Sequence, residues 1–370
     1  PKSSQANKHI AIVIFGGLGD VLLASPVIQA LRTYWPEADI TLITEKRSQS
    51  SAQLLPVNDI KTLANRDRLA LFLGLIKTFL QIKPAIVMAS GRSPFVSLAM
   101  KLAGIPVRVG YLASGGWLNR LQRQWLTHPA KLKPAIYASE MHWELIKALL
   151  GDHVPEPVLP LRPVVDAATL KLPVDKFQAL WPSETSSRVL IHPGASRLSV
   201  QTGALKQWPV AHWVDYIERL LTQTNPAISV GLCGGPDDAE VLRQIEASLS
   251  AQAKEKVIQF MGKTASILDL AALIQSADVM VCVDSAPMHL AVALNKPLVA
   301  MFGPTNPDVL LPKDNHRFKA VFRSDLDCRP CLWTVRKQVC DEPTCLSVPP
   351  QAMIDATLAL LAEHVLEPLL

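Results

Sequence analysis

The sequence predicts an α/β protein of two doubly wound parallel-sheet domains that face each other across a cleft. Three features predict it. Short β-branched apolar runs alternate with segments whose apolar residues recur at helical spacing, the signature of βαβ units. A proline-rich passage, from Pro155-Glu156-Pro157 through Pro173 to Trp181-Pro182, interrupts that alternation, which then restarts. Several apolar runs end in turns that open a helix, the arrangement that places phosphate-bearing ligands at the carboxyl ends of parallel strands.

In chain order, a strand over 9–15 runs into Gly16-Gly17-Leu18-Gly19-Asp20, and a helix is expected over 21–34. The turn is not the dinucleotide fingerprint, because Leu22 stands where the third glycine belongs, so a nicotinamide oxidoreductase is disfavoured. Gly17 and Gly19 let backbone N–H groups approach a ligand. Asp20 has two readings, a helix cap or a general base at the mouth of a cleft. Strands follow over 39–44, 85–89 and 107–110, with helices over 66–81, 94–103 and 138–150. Between the last two, residues 116–133 interleave Trp117, Leu118, Leu121 and Trp125 with Arg120, Arg123, Lys131 and Lys133. Such an amphipathic basic helix either packs on its own domain or lies on a membrane surface.

The second pattern begins with a strand over 189–192 leading to Pro193-Gly194-Ala195-Ser196, then a polar loop to Lys206-Gln207-Trp208-Pro209. Helices are expected over 210–222, 239–249 and 267–275, with strands over 227–233 and 257–261. The unit from Val279 to Pro304 organises this half: an apolar strand, Asp284-Ser285-Ala286-Pro287-Met288-His289, an apolar helix and a second strand. Asp284 or Ser285 can cap that helix, and the N–H groups of Ala286, Met288 and His289 with the helix dipole make a site for an anion. His289 can equally be a core histidine. Lys206 by itself reads as a solvated loop lysine. A helix over 350–366 closes the pattern. The expected domains are 1–172, 173–348 with the cysteine-rich segment, and 349–370 as a helix crossing back to the first.

Length and composition suit this plan: 370 residues, 49% hydrophobic and 19% charged, enough for two cores. The net charge of +5 favours no partner class, but its distribution does. Residues 68–139 contain no Asp or Glu and ten Lys or Arg, a one-signed field suited to an anionic partner. No segment is expected to span a bilayer. The best candidate, 69–82, is short and contains Lys77. Residues 10–15 are too short for a leader and run into the glycine turn, so the expectation is a cytoplasmic protein. Cys233 and Cys282 fall in strands as buried thiols. Cys328, Cys331, Cys340 and Cys345 leave three states open: a structural zinc, disulfides, or reduced thiols.

Gly19-Asp20 with Pro26, Leu31-Arg32 and Pro36 resembles the first motif of glycosyltransferase family 9, the ADP-heptose:lipopolysaccharide heptosyltransferases and their relatives. Leu102-Ala103-Gly104-Ile105-Pro106-Val107-Arg108-Val109-Gly110-Tyr111 is similar to a second run. His192-Pro193-Gly194-Ala195-Ser196 with Lys206 and Trp208-Pro209 resembles the donor-domain motif. Val283-Asp284-Ser285-Ala286-Pro287-Met288-His289-Leu290-Ala291 with Phe302-Gly303-Pro304-Thr305 is close to the signature. The resemblance spans nearly the whole chain in order.

It implies a GT-B architecture with the acceptor on the N-terminal domain, a nucleotide-sugar on the C-terminal one, and no metal required for catalysis. Asp20 takes the general-base position and Lys206 the other catalytic place. Ser196, Glu240, Asp284, Ser285, Ala286 and His289 take donor-binding places. Two departures stand out: Asp-Ser-Ala replaces the more usual Asp-Thr-Gly, and the loop 197–205 is long, which loosens the register of Ser196. The resemblance implies an inverting transferase moving heptose or a related hexose, with ADP-heptose the expected donor, to an anionic glycolipid or lipopolysaccharide-type acceptor. Peripheral contact with the inner membrane face is expected, and nucleic acid is not. The rival readings are a nucleotide-sugar epimerase or hydrolase of the same fold, and a non-catalytic membrane-associated binding protein.

Overall fold

The computed structural model describes residues 8–366 except 65–66, 113–115, 134, 158–160, 184–186, 196–205, 224–226, 314, 333–339 and 341–342. The chain divides into two compact units, Pro1–Val165 and Asp166–Leu370. The division falls a few residues before the expected end of the first domain, within the proline-rich passage.

The first unit runs β1 (His9–Ile14), α1 (Leu18–Leu23), α2 (Ser25–Tyr34), β2 (Asp39–Glu45), α3 (Gln49–Ala52), β3 (Asp59–Leu63), α4 (Arg68–Ile82), β4 (Ile86–Ala89), α5 (Pro94–Leu102), β5 (Val107–Tyr111), α6 (Gly116–Trp125), β6 (His128–Ala130) and α7 (Ala138–Leu150). Its strands lie all parallel in the order β3-β2-β1-β4-β5-β6. Central β1 is buried from Ile10 to Ile14, as a strand covered on both faces must be. The helix expected over 21–34 is broken at Ala24, because Pro26 lies in the first turn of α2 and supplies no N–H to a continuous helix. The segment expected as one helix over 116–133 ends at Trp125, and His128–Ala130 pairs with β5 as an edge strand.

The second unit runs α8 (Val174–Gln178), β7 (Ser187–His192), α9 (Val210–Leu221), β8 (Ile228–Leu232), α10 (Ala239–Ser248), α11 (Ala251–Lys256), β9 (Val257–Gln259), α12 (Ile267–Ser276), β10 (Val279–Val283), α13 (Ala286–Ala293), β11 (Leu298–Phe302), α14 (Pro307–Leu310), β12 (Phe318–Phe322) and α15 (Pro350–Leu366). Its sheet, β12-β11-β10-β7-β8-β9, is also all parallel and repeats the first sheet's topology read from the other edge. In both units the strand order reverses between the first and fourth strands, the place where doubly wound sheets open a crevice.

By length and composition, Thr344–Glu363 is apolar enough to cross a membrane. It is a core element instead. Met353, Ile354, Leu360 and Leu361 of α15 are buried with Val281, Val299 and Met301 of the second sheet. The Thr357 hydroxyl lies 2.9 Å from that of Tyr216 on α9. By these contacts the helix packs within the second unit.

Candidate functional site

At the switch point of the second sheet, β7 and β10 run side by side with Cys282 opposite His192, so their carboxyl ends deliver His192-Pro193-Gly194 and Asp284-Ser285 together. Asp284 is 3% exposed. One of its carboxylate oxygens stands 2.7 Å from the Lys206 ammonium and accepts a hydrogen bond of 2.8 Å from the fully buried Thr305 hydroxyl. Lys206 is thus a buried ion-pair partner, not a solvated loop residue. Its position follows from the core two residues on. Trp208 is buried edge-on against Trp213 at 4.8 Å, and its indole N–H donates to the Val348 carbonyl at 3.0 Å.

α13 begins where expected, with Ser285 at the N-cap and Pro287 in the first turn. No side chain caps it. The Ser285 hydroxyl turns back to donate to the Val283 carbonyl at 3.2 Å. The Met288 N–H, expected as an anion donor, instead donates to the Ser285 carbonyl at 3.1 Å, the ordinary economy of a tight first turn. Ala286 opens the helix, and His289 is buried within it.

Thr305 is held from outside by Arg329, whose guanidinium donates to the carbonyls of Gly303, Arg323 and Thr305. The Cys331 N–H donates to the Pro304 carbonyl at 3.0 Å. The cysteine-rich segment is therefore strapped over the end of β11. Cys331 and Cys345 turn inward while Cys328 and Cys340 are exposed. Burial pushes the Cys345 thiol up to about 11, aided by the neighbouring sulfurs. Among the described residues no three His, Cys, Asp or Glu side chains converge to hold a metal. A shallow cavity lies beyond Thr305, lined by Asn306, Asp308, Arg323 and Arg329. Its guanidinia are already engaged, Arg323 with Asp325 and Arg329 with carbonyls.

One residue that meets the switch point, Asp238, is not singled out by the sequence. Asp238 lies 3.3 Å from the His192 imidazole and accepts the Gly235 N–H at 2.8 Å. Gly194 is required there, since a Cβ on it would meet an Asp238 oxygen at 1.8 Å. The signal was present in the spacing: Gly234-Gly235-x-x-Asp238 repeats Gly16-Gly17-x-x-Asp20. Burial works to raise the Asp238 carboxyl, but the His192 hydrogen bond and charge, with the Gly235 N–H, hold it below the usual carboxylate value. A depressed folded value stabilises above the unfolded carboxylate range and loses that contribution as pH falls through the folded value. Asp238→Asn is expected to lower stability at neutral pH by about 1–3 kcal/mol and to flatten the decline below about pH 4, as read by thermal unfolding across pH.

Of the other sequence-predicted residues, Glu240 is exposed on the first turn of α10, with its carboxylate forked onto Arg243 of the same helix and a contact from Gln244. Ser196 lies outside the described residues, as does the loop 197–205. Gly17, Gly19 and Asp20 belong to the first unit. Gly17 is the N-cap of α1, and its N–H donates to the exposed Asp20 carboxylate at 2.6 Å. Gly19 is not in the turn but buried in the first turn of α1. The close approach falls to Gly16, where a Cβ would meet the Asp20 carboxylate at 2.3 Å.

The model of glycosyltransferase family 9 (heptosyltransferase) matches residues 93–340. The chain is 33% identical to lipooligosaccharide heptosyltransferase 2 of Haemophilus influenzae over 166 residues, 44% of each protein. It therefore spans less than half the length of that relative. It is 26% identical to lipopolysaccharide heptosyltransferase 3 of Escherichia coli over 301 residues, 78% of this chain and 81% of that one. The solved E. coli ADP-heptose lipopolysaccharide heptosyltransferase II shares the fold with a TM-score of 0.68 at 21% identity, covering 97% of this chain and 99% of that one.

Proposed function

The chain belongs to glycosyltransferase family 9, and from that we propose that it transfers a heptose or related sugar, with ADP-heptose as donor, to an anionic lipopolysaccharide-type glycolipid at the inner membrane face. The observation that carries this reading is the buried Lys206–Asp284–Thr305 cluster beside an uncapped helix start at the switch point of the second sheet. The heptosyltransferase names of the relatives support the sugar and the acceptor class.

The chemistry follows from where charge develops. An acceptor hydroxyl attacks the anomeric carbon while the bond to the diphosphate breaks, inverting that carbon, and Asp20 takes the hydroxyl proton. Negative charge grows on the leaving diphosphate. The Lys206 ammonium and the positive end of α13, with the Ala286 N–H, offset it in surroundings that exclude water. Asp284 holds the ammonium in place, and Thr305 holds Asp284. Ser285 at the N-cap of α13 and His289 within it border the diphosphate, while Ser196 and Glu240 complete the donor site. For a ribose hydroxyl to reach Glu240, its fork onto Arg243 must open or be shared. The reaction so described routes through no metal.

The test is a panel of nucleotide sugars scored by thermal unfolding, then by nucleotide release. ADP-heptose at about a hundredfold excess over Kd should add about 2.7 kcal/mol of stability, a shift of several degrees. ADP release should then depend on added heptose-deficient glycolipid. Release without acceptor would favour hydrolysis, and stabilisation by UDP-sugars but not ADP-heptose would overturn the donor.

A further inference from the structure

Helices α4 and α5 cover one face of the first sheet, and α6 packs beside α5 and the end of β5. The inner sides of α4 and α5, including Leu75, Phe79, Val96 and Met100, fill its core with residues of β1 and β4. Their outer sides are not the polar surface that a solvated helical layer presents. On α4, Leu69, Leu73, Lys77 and Leu80 are all exposed and stand at i, i+4, i+8 and i+11, a single outward stripe. On α5, Phe95 and Leu102 are exposed one beneath the other, with Lys101 beside them. The Phe72 and Phe95 rings meet edge-on at 6.4 Å and join the two stripes.

The third helix reverses the usual sorting. The buried residue of α6 is Gln122, whose amide donates to the Ser97 hydroxyl at 3.1 Å and the Tyr111 carbonyl at 3.3 Å. Trp117 is 69% exposed, with Arg120 and Arg123 also in solvent. A polar side chain pins the helix from beneath while an indole and two guanidinia face out. Burial within this unit does not explain that choice, whereas a partner surface does. Charge says which partner. Residues 68–139 hold ten Lys or Arg and no Asp or Glu. A second copy seated face to face would oppose positive with positive, whereas a bilayer with anionic headgroups offers negative charge above an apolar interior.

We propose that the outer face of α4, α5 and α6 is a docking surface for an anionic lipid bilayer. Leu69, Leu73, Leu80 and Trp117 enter the headgroup boundary. Lys77, Arg120 and Arg123 pair with lipid phosphates, their stems lying along the apolar stripe. This rests on the acceptor's being membrane-borne and adds the surface that brings the enzyme to it.

The experiment is co-sedimentation of the full chain with vesicles of phosphatidylcholine alone or mixed with phosphatidylglycerol, at low and high salt. Binding is expected only to the mixed vesicles and should weaken with salt. The double variant K77Q/R120Q should lose on the order of twentyfold in affinity, and L73S/W117S on the order of tenfold or more. Both variants alter only exposed positions, so both should unfold at the wild-type temperature and turn over a water-soluble deacylated acceptor at the wild-type rate. Binding indifferent to phosphatidylglycerol, variants that bind like the wild type, or a concentration-dependent dimer abolished by L73S/W117S would each overturn the docking surface. Turnover of the soluble acceptor without vesicle binding defeats the docking surface alone. Charge-dependent vesicle binding without any turnover supports it and defeats the transfer reading.

Discussion

Asp20→Asn is expected to reduce sugar transfer by about a hundred- to ten-thousand-fold while leaving donor binding intact. The choice of Asn matters because Asp20 also has a structural task. Its carboxylate accepts the Gly17 N–H at 2.6 Å and closes the first turn of α1. An Asn side-chain oxygen can still accept that hydrogen bond but cannot take a proton from an attacking hydroxyl. Asp20→Ala removes both, and should add a stability loss of about 1 kcal/mol to the loss of transfer. If Asp20 were only a cap, the Asn variant would transfer normally and the Ala variant would be merely less stable. Steady-state transfer, with the donor-induced thermal shift measured beside it, separates these outcomes. Ordinary turnover by Asp20→Asn would exclude Asp20 as the base.

Lys206→Met should show the second large effect, in two quantities at once. Transfer should fall by about a hundred- to a thousand-fold, because the growing charge on the diphosphate loses its ammonium. Stability should fall by about 3–5 kcal/mol, because Asp284 is left as a buried, unpaired carboxylate. The double variant Lys206→Met/Asp284→Asn tells the two apart. The introduced carboxamide would be neutral yet still accept the Thr305 hydroxyl, so most of the stability should return while transfer stays lost. Chemical denaturation and single-turnover kinetics on the same preparations read both. Restored transfer in the double variant would show that Lys206 serves the fold and not the reaction.

Much of the site could be read in the sequence because its parts are local. The run Asp284-Ser285-Ala286-Pro287 marks a strand end, an N-cap and a first-turn proline within four residues, and α13 begins there. What the same run could not show was hydrogen-bond partnership. The Met288 N–H is spent on Ser285, and the Ser285 hydroxyl turns back to Val283. Short edge strands such as Asp59–Leu63 and Phe318–Phe322 were not legible. Partial burial dilutes their apolar pattern, and only their pairing with β2 and β11 defines them. Cysteine spacing likewise left a structural zinc, disulfides and reduced thiols open. The segment's attachment to Pro304 turns two of the cysteines inward and leaves two outside.

The sequence by itself determined the two α/β patterns, the break between them, the helix start at Ala286 and the acid-free stretch of the first unit. These follow from periodicity, turn chemistry and charge, which are properties of neighbours along the chain. Tertiary structure alone decided that Lys206 is a buried partner of Asp284, that Thr305 and Arg329 brace that pair, and that His192 faces Asp238. It also decided that Gln122 lies inside while Trp117 lies outside. The reason is physical. Burial and pairing depend on which distant strands become neighbours at a switch point, and no local pattern carries that long-range information.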